Sequence, residues 1–281
     1  MMTRRPQDLV FTLYGEFLLK RGPVWVGSLL ELLAPLGLSA GGARTVLSRM
    51  TAKGWLTSRR SGRRGYYALS ARGRRLLEEG ETRIYRPPEL ADWDGEWTLL
   101  AYSIPEELRP RRDRLRTRLS WLGFGSLGNG LWISPYAVES RVREIAEELG
   151  LGAHLELFRA RHRGFSTHEQ LVRQCWDLPA LNVRYEAFVA RHLPIYYRLK
   201  DEAAPVSPEA AYVRRFDLVH EYREFPLLDP FLPRVLHPHD WAGECAQALF
   251  QATHALLAAP SAAYIDSRVE TLPASRSRRT R

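Results

Sequence analysis

The sequence predicts an α+β fold spread over several domains. Apolar residues recur at helical spacing near the start of the chain and again beyond residue 166, whereas short apolar runs typical of strands lie between these stretches. Charge is divided in a similar way, because residues 1–86 hold 16 Lys and Arg against 6 Asp and Glu, while residues 87–275 carry more acids than bases. With 281 residues and 45% apolar content, the chain is long enough for two or three domains, each with its own core.

The first 54 residues predict three helices. Apolar residues at helical spacing place the first two around Leu9–Leu18 and Val26–Leu36. Ser39 is suited to cap a third helix that continues to Lys53, and Gly54 suits its end. We interpret the third helix as a recognition helix, because Arg, Lys, Thr and Ser contact phosphates and base edges. Its predicted exposed face carries Arg44, Thr45, Ser48, Arg49 and Lys53. The alternative is a helix face that meets only solvent.

A basic hairpin is predicted directly after this helix. Trp55–Thr57 and Tyr66–Leu69 are rich in strand-forming residues, and glycines in the loop between them suit a tight turn. The loop also carries four crowded cations, Arg59, Arg60, Arg63 and Arg64. Like charges crowded together require a nearby anion, so we expect this loop to contact the DNA backbone or the minor groove. Helix and hairpin together predict a winged helix-turn-helix DNA-binding domain over residues 1–86, followed by a linker at Arg86–Pro88.

The charge pattern favours nucleic acid as the partner of this domain. No Asp or Glu occurs between Leu32 and Leu77. The same segment has ten cations: Arg44, Arg49, Lys53, Arg59, Arg60, Arg63, Arg64, Arg72, Arg74 and Arg75. Genomic base composition accounts for a preference of Arg over Lys, but it does not account for the missing acids. A chain with one basic end indicates nucleic-acid binding at that end and a different function at the other.

The middle of the chain predicts alternating strands and helices. Apolar strands are predicted at Trp97–Pro105, Gly130–Pro135 and His154–Phe158, with a helix in each interval. The order β-α-β-α-β predicts a small ferredoxin-like α/β domain over residues 87–165. We interpret the glycines at positions 123, 125, 128 and 130 as a turn between helix and strand, because their spacing matches no nucleotide-binding fingerprint.

From Ser166 onward the sequence predicts helices, which form a C-terminal domain over residues 166–267. Its aromatic residues, mixed with a few polar ones, suit either an effector pocket or a dimer interface, and the sequence leaves both open. Residues 268–281 have no apolar periodicity and predict a basic disordered tail. The last six residues of this tail contain four cations: Arg276, Arg278, Arg279 and Arg281.

Several classes of protein and site are disfavoured. No run approaches the roughly 20 apolar residues needed to span a bilayer, and no cleavable apolar leader is present, so we expect a cytoplasmic protein. Cys175 and Cys245 fit neither a disulfide framework nor a zinc site, and we expect buried thiols. We interpret His237–Asp240 as an ordinary loop and His220–Arg223 as a structural polar cluster. No metal, cofactor or catalytic residue is therefore predicted.

Short motifs, in order along the chain, resemble the PaaX family of bacterial transcriptional regulators. They are Arg44–Met50, Gly54–Leu56, Gly62–Tyr67, Arg83–Tyr85, Trp93–Trp97, Trp121–Gly125, Leu131–Pro135, Leu218–Arg223, Asp229–Pro230, Leu232–Pro233 and Trp241–Gly243. The resemblance implies a homodimeric repressor of a phenylacetate-type catabolic operon. It also implies binding to a palindromic operator and release of the DNA by phenylacetyl-CoA or a related aryl-acyl-CoA.

An acyl-CoA effector would need particular side chains. Its phosphates need arginine or lysine, and its acyl end needs a slot lined by aromatic residues. The candidates for effector binding are Trp132, Arg214, Arg215, Tyr222 and Arg223.

Two other functions compete with this interpretation. One is a transcriptional regulator, an activator or a dual regulator, that answers to a different effector. The other is a metal-dependent nuclease, because the middle domain also resembles the small ferredoxin-like nuclease subunit of CRISPR adaptation. That family has an acidic residue at the end of its first strand, whereas this chain has Ser103 between Tyr102 and Ile104. Because serine is a poor metal ligand, we expect a middle domain without catalysis that serves as a dimerisation or hinge module.

Overall fold

The computed structural model describes residues 5–85, 92–201 and 206–272. The described residues within 1–87, 190–223 and 247–281 form one compact unit, and those within 88–189 and 224–246 form a second. Both units combine helices with a small antiparallel sheet, which confirms the predicted α+β class. The predicted linker at Arg86–Pro88 lies outside the described residues.

The elements follow one another from Pro6 to Arg268. The helices are α1 Pro6–Leu13, α2 Val26–Leu33, α3 Ala40–Ala52, α4 Ala71–Tyr85, α5 Arg109–Trp121, α6 Glu139–Leu149, α7 His168–Cys175, α8 Leu178–Lys200, α9 Pro208–Tyr222, α10 Phe225–Leu228, α11 Gly243–Leu256 and α12 Ala258–Arg268. The strands are β1 Val24–Trp25, β2 Leu56–Ser61, β3 Arg64–Leu69, β4 Trp97–Tyr102, β5 Gly125–Gly128, β6 Leu131–Ser134 and β7 Leu155–Ala160. A π-helical turn, Tyr14–Leu18, continues α1.

The core of the first unit joins the start of the chain to its end. Leu13, Leu29 and Leu47, from α1, α2 and α3, are fully buried, as the apolar spacing predicts. The same core contains Tyr212 of α9 and Tyr264 of α12, whose rings stack with their centroids 5.0 Å apart. The hydroxyl of Tyr212 donates to the carbonyl of Leu32 at 2.7 Å. Residues of the predicted N-terminal domain and of the predicted C-terminal domain therefore share one core.

The hairpin of the first unit has longer strands than the sequence predicts. The sheet order is β1-β3-β2, and β2 pairs with β3 from Leu56 opposite Leu69 to Ser61 opposite Arg64. Gly62 and Arg63 alone form the turn, with Gly62 at φ +59°. The predicted loop over 58–65 is therefore wrong, because the backbone ladder continues through polar residues once the two-residue turn has set the register.

The second unit contains a four-stranded sheet in the order β5-β6-β4-β7, in which every neighbouring pair is antiparallel. Helices α5 and α6 pack on one face through Leu115, Leu119 and Val142. The predicted turn between helix and strand is confirmed at Gly123, which lies between α5 and β5 with φ +82°, but it is wrong for Gly125 and Gly128, which belong to strand β5. A Cβ on Gly125 would lie 2.6 Å from Cβ of Cys175, so this glycine allows close packing. The observed order is β-α-β-β-α-β.

Three further expectations from the sequence concern the cysteines, the C-terminal tail and the absence of a membrane-spanning helix. Cys175 is half-buried, but Cys245 is exposed, so the expectation of two buried thiols is wrong for Cys245. Arg268 ends α12 and Glu270–Leu272 bonds to β1, so these residues of the predicted tail belong to the folded unit, whereas residues 273–281 lie outside the described chain. None of the helices in the described ranges is long and apolar enough to cross a membrane.

Candidate nucleic-acid interface

Helix α3 presents one buried face and one polar face. The Ser39 hydroxyl accepts a hydrogen bond from the Gly42 amide at 3.2 Å and so caps the helix, as the sequence predicts. The buried residues are Ala43, Val46, Leu47 and Met50. The exposed residues include all five predicted contacts, Arg44, Thr45, Ser48, Arg49 and Lys53. The Thr45 hydroxyl already donates to the Gly41 carbonyl at 2.9 Å, so towards a partner it acts as an acceptor.

The hairpin carries the other four predicted contacts, and all four are exposed. Only Arg63 lies in the turn. Arg59 lies opposite Tyr66 and Arg60 opposite Gly65, so these two neighbouring side chains leave opposite faces of the hairpin. The hairpin therefore distributes its positive charge over a turn and two faces rather than concentrating it at one tip.

Most of these cations have no acidic neighbour. In the described part of the chain, no carboxylate forms an ion pair with Arg44, Arg49, Lys53, Arg59, Arg60 or Arg63. Uncompensated cations on a protruding surface attract phosphates and gain affinity through counterion release. This surface, α3 with the β2–β3 hairpin, can hold a polyanion chemically.

Arg64 is the exception among the nine predicted contacts. Its guanidinium carbon lies 4.5 Å from the ring centroid of Trp25, and it forms an ion pair with Glu270. The hydrogen bond to Glu270 and the negative charge of that carboxylate raise the pKa of Arg64 above its ordinary value. Arg64 is thus already occupied by a carboxylate, whereas Arg63 beside it is not.

Glu270 belongs to a segment that extends the sheet of the hairpin. The amide of Trp25 donates to the carbonyl of Glu270, and the amide of Leu272 donates to the carbonyl of Pro23, both at 2.8 Å. Thr271 and Val24 form an antiparallel bridge, and the Glu270 amide donates to the Ser28 hydroxyl at 3.0 Å. The C-terminal segment Glu270–Leu272 therefore lies beside β1. Nothing local in the sequence predicts this long-range pairing.

The predicted effector-binding residues do not form one cluster. Trp132 is 6% exposed and packs into the core of the second unit. The other four lie on α9 or directly after it, in the first unit. There Tyr222 is buried with its ring 4.0 Å from that of Phe250, and Arg223 lies 3.8 Å from an oxygen of Asp8. Arg214 is half-buried.

Arg215, the remaining effector candidate, belongs to a buried polar cluster around Glu16. The side chain of Glu16 is 2% exposed and accepts hydrogen bonds from Arg215, from Nε2 of His254 at 2.9 Å, and from the Tyr85 hydroxyl. Burial alone would raise the pKa of Glu16, but the hydrogen bond and charge of His254 and the charge of Arg215 bring the pKa below its ordinary value. This cluster joins the π-helical turn to α4, α9 and α11 inside the first unit.

The alternative sites from the sequence gain no catalytic geometry. Ser103 is exposed just after β4, and its amide donates to the His154 carbonyl at 3.0 Å. His220 hydrogen-bonds to the Thr12 hydroxyl at 2.9 Å, and Glu221 pairs with Arg191 and His192. Within residues 5–85, 92–201 and 206–272, no group of three or more His, Cys, Asp and Glu could hold a metal ion.

Sequence comparison places the whole chain among known proteins. Three family models match it: "PaaX-like protein" over residues 5–73, "PaaX protein central Cas2-like domain" over residues 90–172, and "PaaX-like protein C-terminal domain" over residues 176–267. The transcriptional repressor PaaX of Escherichia coli strain K12 is 36% identical over 269 residues, which cover 94% of this chain and 84% of that protein.

A solved structure resembles the fold. The uncharacterized protein Rv0674 from Mycobacterium tuberculosis superposes with a TM-score of 0.57 and is 25% identical in sequence. The match covers 92% of this chain and 96% of that one. Fold and comparisons together define a transcriptional regulator rather than an enzyme. The chain belongs to the PaaX family.

Proposed function

We propose that this chain is a DNA-binding repressor that binds a palindromic operator as a homodimer and acts in the cytoplasm on a phenylacetate-type catabolic operon. The exposed face of α3, on which Arg44, Arg49 and Lys53 have no acidic partner among the described residues, carries the DNA-binding part of the proposal. The E. coli relative is a transcriptional repressor, which supports repression. We assign the helices and hairpin at the start of the chain to a winged helix-turn-helix, and α3 to its recognition helix.

The second sheet supports the finer assignment of the middle domain. The succession β-α-β-β-α-β, with strand order β5-β6-β4-β7 and antiparallel neighbours, supports our assignment of a ferredoxin-like domain. The family model that matches residues 90–172 is described as Cas2-like, which agrees with it. We infer a role in dimerisation or as a hinge. We propose that the functions follow one another along the chain, with DNA binding in residues 1–86, the dimerisation or hinge module in residues 87–165, and effector binding or dimerisation in residues 166–267.

The proposed release mechanism is geometric. Two recognition helices read both halves of a palindrome when they are separated by about one turn of DNA, ~34 Å. A ligand that binds more tightly to an arrangement with another separation lowers the affinity for the operator. The loss of operator affinity is limited by the difference between the ligand's affinities for the two arrangements. We propose an aryl-acyl-CoA, such as phenylacetyl-CoA, as that ligand, with no resident cofactor.

A different effector is the second candidate. Arg215 is bound to buried Glu16, and Trp132 lies in the core of the other unit, so two residues expected to hold an aryl-acyl-CoA already have structural partners. This observation favours a regulator with the same DNA-binding function and another ligand.

Operator binding with three ligands separates these proposals. Purified protein is titrated onto the promoter DNA upstream of its own gene, with phenylacetyl-CoA, free phenylacetate and acetyl-CoA in parallel. Release by phenylacetyl-CoA alone is the expected result. Tight specific binding that ignores all three ligands would retain the repressor and reject the acyl-CoA effector, and absence of specific binding would reject the repressor itself.

A further inference from the structure

The first turn of α4 is hydrogen-bonded to the turn that ends the recognition helix. The Ser70 hydroxyl donates to the Gly54 carbonyl at 2.7 Å and accepts from the Gly73 amide at 3.0 Å. The Ser70 amide donates to the Trp55 carbonyl at 3.0 Å. These bonds fix the start of α4 relative to the end of α3.

Gly73 makes this approach close. A Cβ at this position would lie 2.4 Å from the carbonyl oxygen of Trp55, a distance that no side chain tolerates without a shift of the backbone. Gly73 is also the buried residue of α4. Backbone therefore packs directly on backbone here, and side chains on the first turn of α4 have a defined position beside α3.

Arg72 uses this position. Its guanidinium carbon lies 3.9 Å from the ring centroid of Trp55, while Phe11 meets the same ring edge-on at a centroid distance of 5.6 Å. Arg72 is exposed and has no carboxylate partner in the described ranges. Arg74, two residues later, differs, because it donates to the Leu19 carbonyl and lies 3.9 Å from Glu78.

Stacking suits an arginine to phosphate recognition. A guanidinium held flat on an indole keeps its edge N–H groups free, and those groups match two phosphate oxygens at once. Because the side chain is already ordered, less rotational freedom is lost when a phosphate binds. A lysine in the same place would keep the charge but lose the planar contact.

We propose that Arg72 binds a phosphodiester of the operator backbone and that Trp55 is its positioning residue. The inference rests on the proposed DNA-binding function and extends the interface from α3 to the first turn of α4. It adds a contact to the backbone rather than to the bases, so it contributes affinity on every DNA sequence.

Three variants in the full-length protein test this assignment by fluorescence anisotropy on operator and on random duplex DNA. Arg72→Ala is expected to weaken both about ten-fold and to reduce the slope of log K against log salt by about 0.9, the value for one phosphate contact. Arg72→Lys is expected to weaken binding several-fold with little change in slope. Arg75→Ala is the matched control, because Arg75 is an exposed arginine on the same helix with no aromatic contact in the described structure. It is expected to change affinity less than two-fold.

The outcomes that would overturn the inference are distinct from those that concern the repressor. Equal losses for Arg72→Ala and Arg75→Ala would reduce Arg72 to general positive charge. Full affinity in Arg72→Lys would remove the positioning role of Trp55. If the unaltered protein binds random DNA as tightly as the operator, the proposed repressor function is rejected. If the unaltered protein prefers the operator and Arg72→Ala binds DNA with unchanged affinity, only the proposed contact of Arg72 is rejected. Circular dichroism melting of each variant excludes loss of folding as the cause.

Discussion

Two regions of the molecule are rich in arginine: the candidate interface, formed by α3 and the hairpin, and helix α5. They differ in their acidic neighbours. On α5, Glu106 accepts from Arg109 and Arg112, and Glu148 binds Arg118 through both oxygens. On α3, the described structure has no carboxylate paired with either arginine. Three of the six arginines on α5 thus bind acidic residues of the protein itself, whereas both arginines on α3 remain available to a partner. The share of arginines that have acidic partners, rather than the number of arginines, distinguishes α5 from α3.

The largest expected effect distinguishes a buried cluster of ion pairs from an exposed one. Glu16→Ala leaves Arg215 and His254 without their carboxylate inside the first unit and is expected to cost about 3 to 5 kcal/mol of unfolding free energy. Glu106→Ala removes an exposed partner of two arginines and is expected to cost less than ~1 kcal/mol. Urea denaturation of both variants measures the two values, and similar losses would contradict the distinction.

The pH dependence of the Glu16 contribution has a defined sign. Because the folded protein holds the pKa of Glu16 below its usual value of 4.5, the carboxylate stabilises the folded state above that pH. The stabilisation is lost as pH falls through the lower pKa of the folded state. The difference in stability between the natural protein and Glu16→Ala should therefore shrink as pH falls below 4.5, and a difference that grows over that range would contradict the assignment.

Base recognition is the next test. Arg49→Ala on the exposed face of α3 is expected to cost roughly 1 to 3 kcal/mol of operator binding and to relax base preference. Arg114→Ala is the matched control, because it removes an exposed arginine from α5. Anisotropy titrations on operator and random DNA measure both effects. A comparable operator loss for Arg114→Ala would show that α5 also contacts DNA.

Arg63 at the turn of the hairpin should behave as a phosphate contact. Arg63→Ala is expected to weaken operator and random DNA alike and to reduce the salt slope by about 0.9. Salt titrations of the two complexes supply the slopes. Loss confined to the operator would instead assign Arg63 to base recognition.

The smallest predicted effect concerns Arg64 and Glu270. Glu270→Gln frees Arg64 from its carboxylate while retaining a side chain of the same size, so DNA affinity is expected to rise about two- to five-fold. Asp266→Asn, which releases Arg21 instead and also keeps the size of the side chain, is the matched control and should leave affinity unchanged. An unchanged affinity in Glu270→Gln would mean that this ion pair does not compete with phosphate.

Local patterns predicted the candidate interface better than they predicted its surroundings. Ser39, Gly54 and the apolar spacing of α3 act within a few residues, so the helix and its exposed face follow from the sequence. Strand β5 was hidden because glycine at 125 reflects packing against Cys175, fifty residues later, rather than a turn. The stacking of Arg72 on Trp55 and the pairing of Glu270 with Arg64 depend on tertiary approach, which no local spacing encodes.

Effector residues were the least predictable part. Residue type alone suggested Trp132 and Arg215 as effector contacts. The same residue types also occur in purely structural roles, here a buried tryptophan and an arginine bound to a buried carboxylate. Their partners, Glu16 among them, are far away in the sequence. Burial and pairing therefore had to be observed before structural arginines and aromatic residues could be separated from candidates for binding.

The shared core of the first unit also determines when this unit can fold during synthesis of the chain. Domains normally fold in order as they leave the ribosome, N-terminal first. Here Tyr212, Tyr264 and the segment Glu270–Leu272 pack or pair with the helices and sheet that carry α3, so that unit is complete only after nearly the whole chain has been made. A product of premature termination contains α3 but lacks the partners of its core. A complete first unit therefore requires synthesis to continue at least to Leu272.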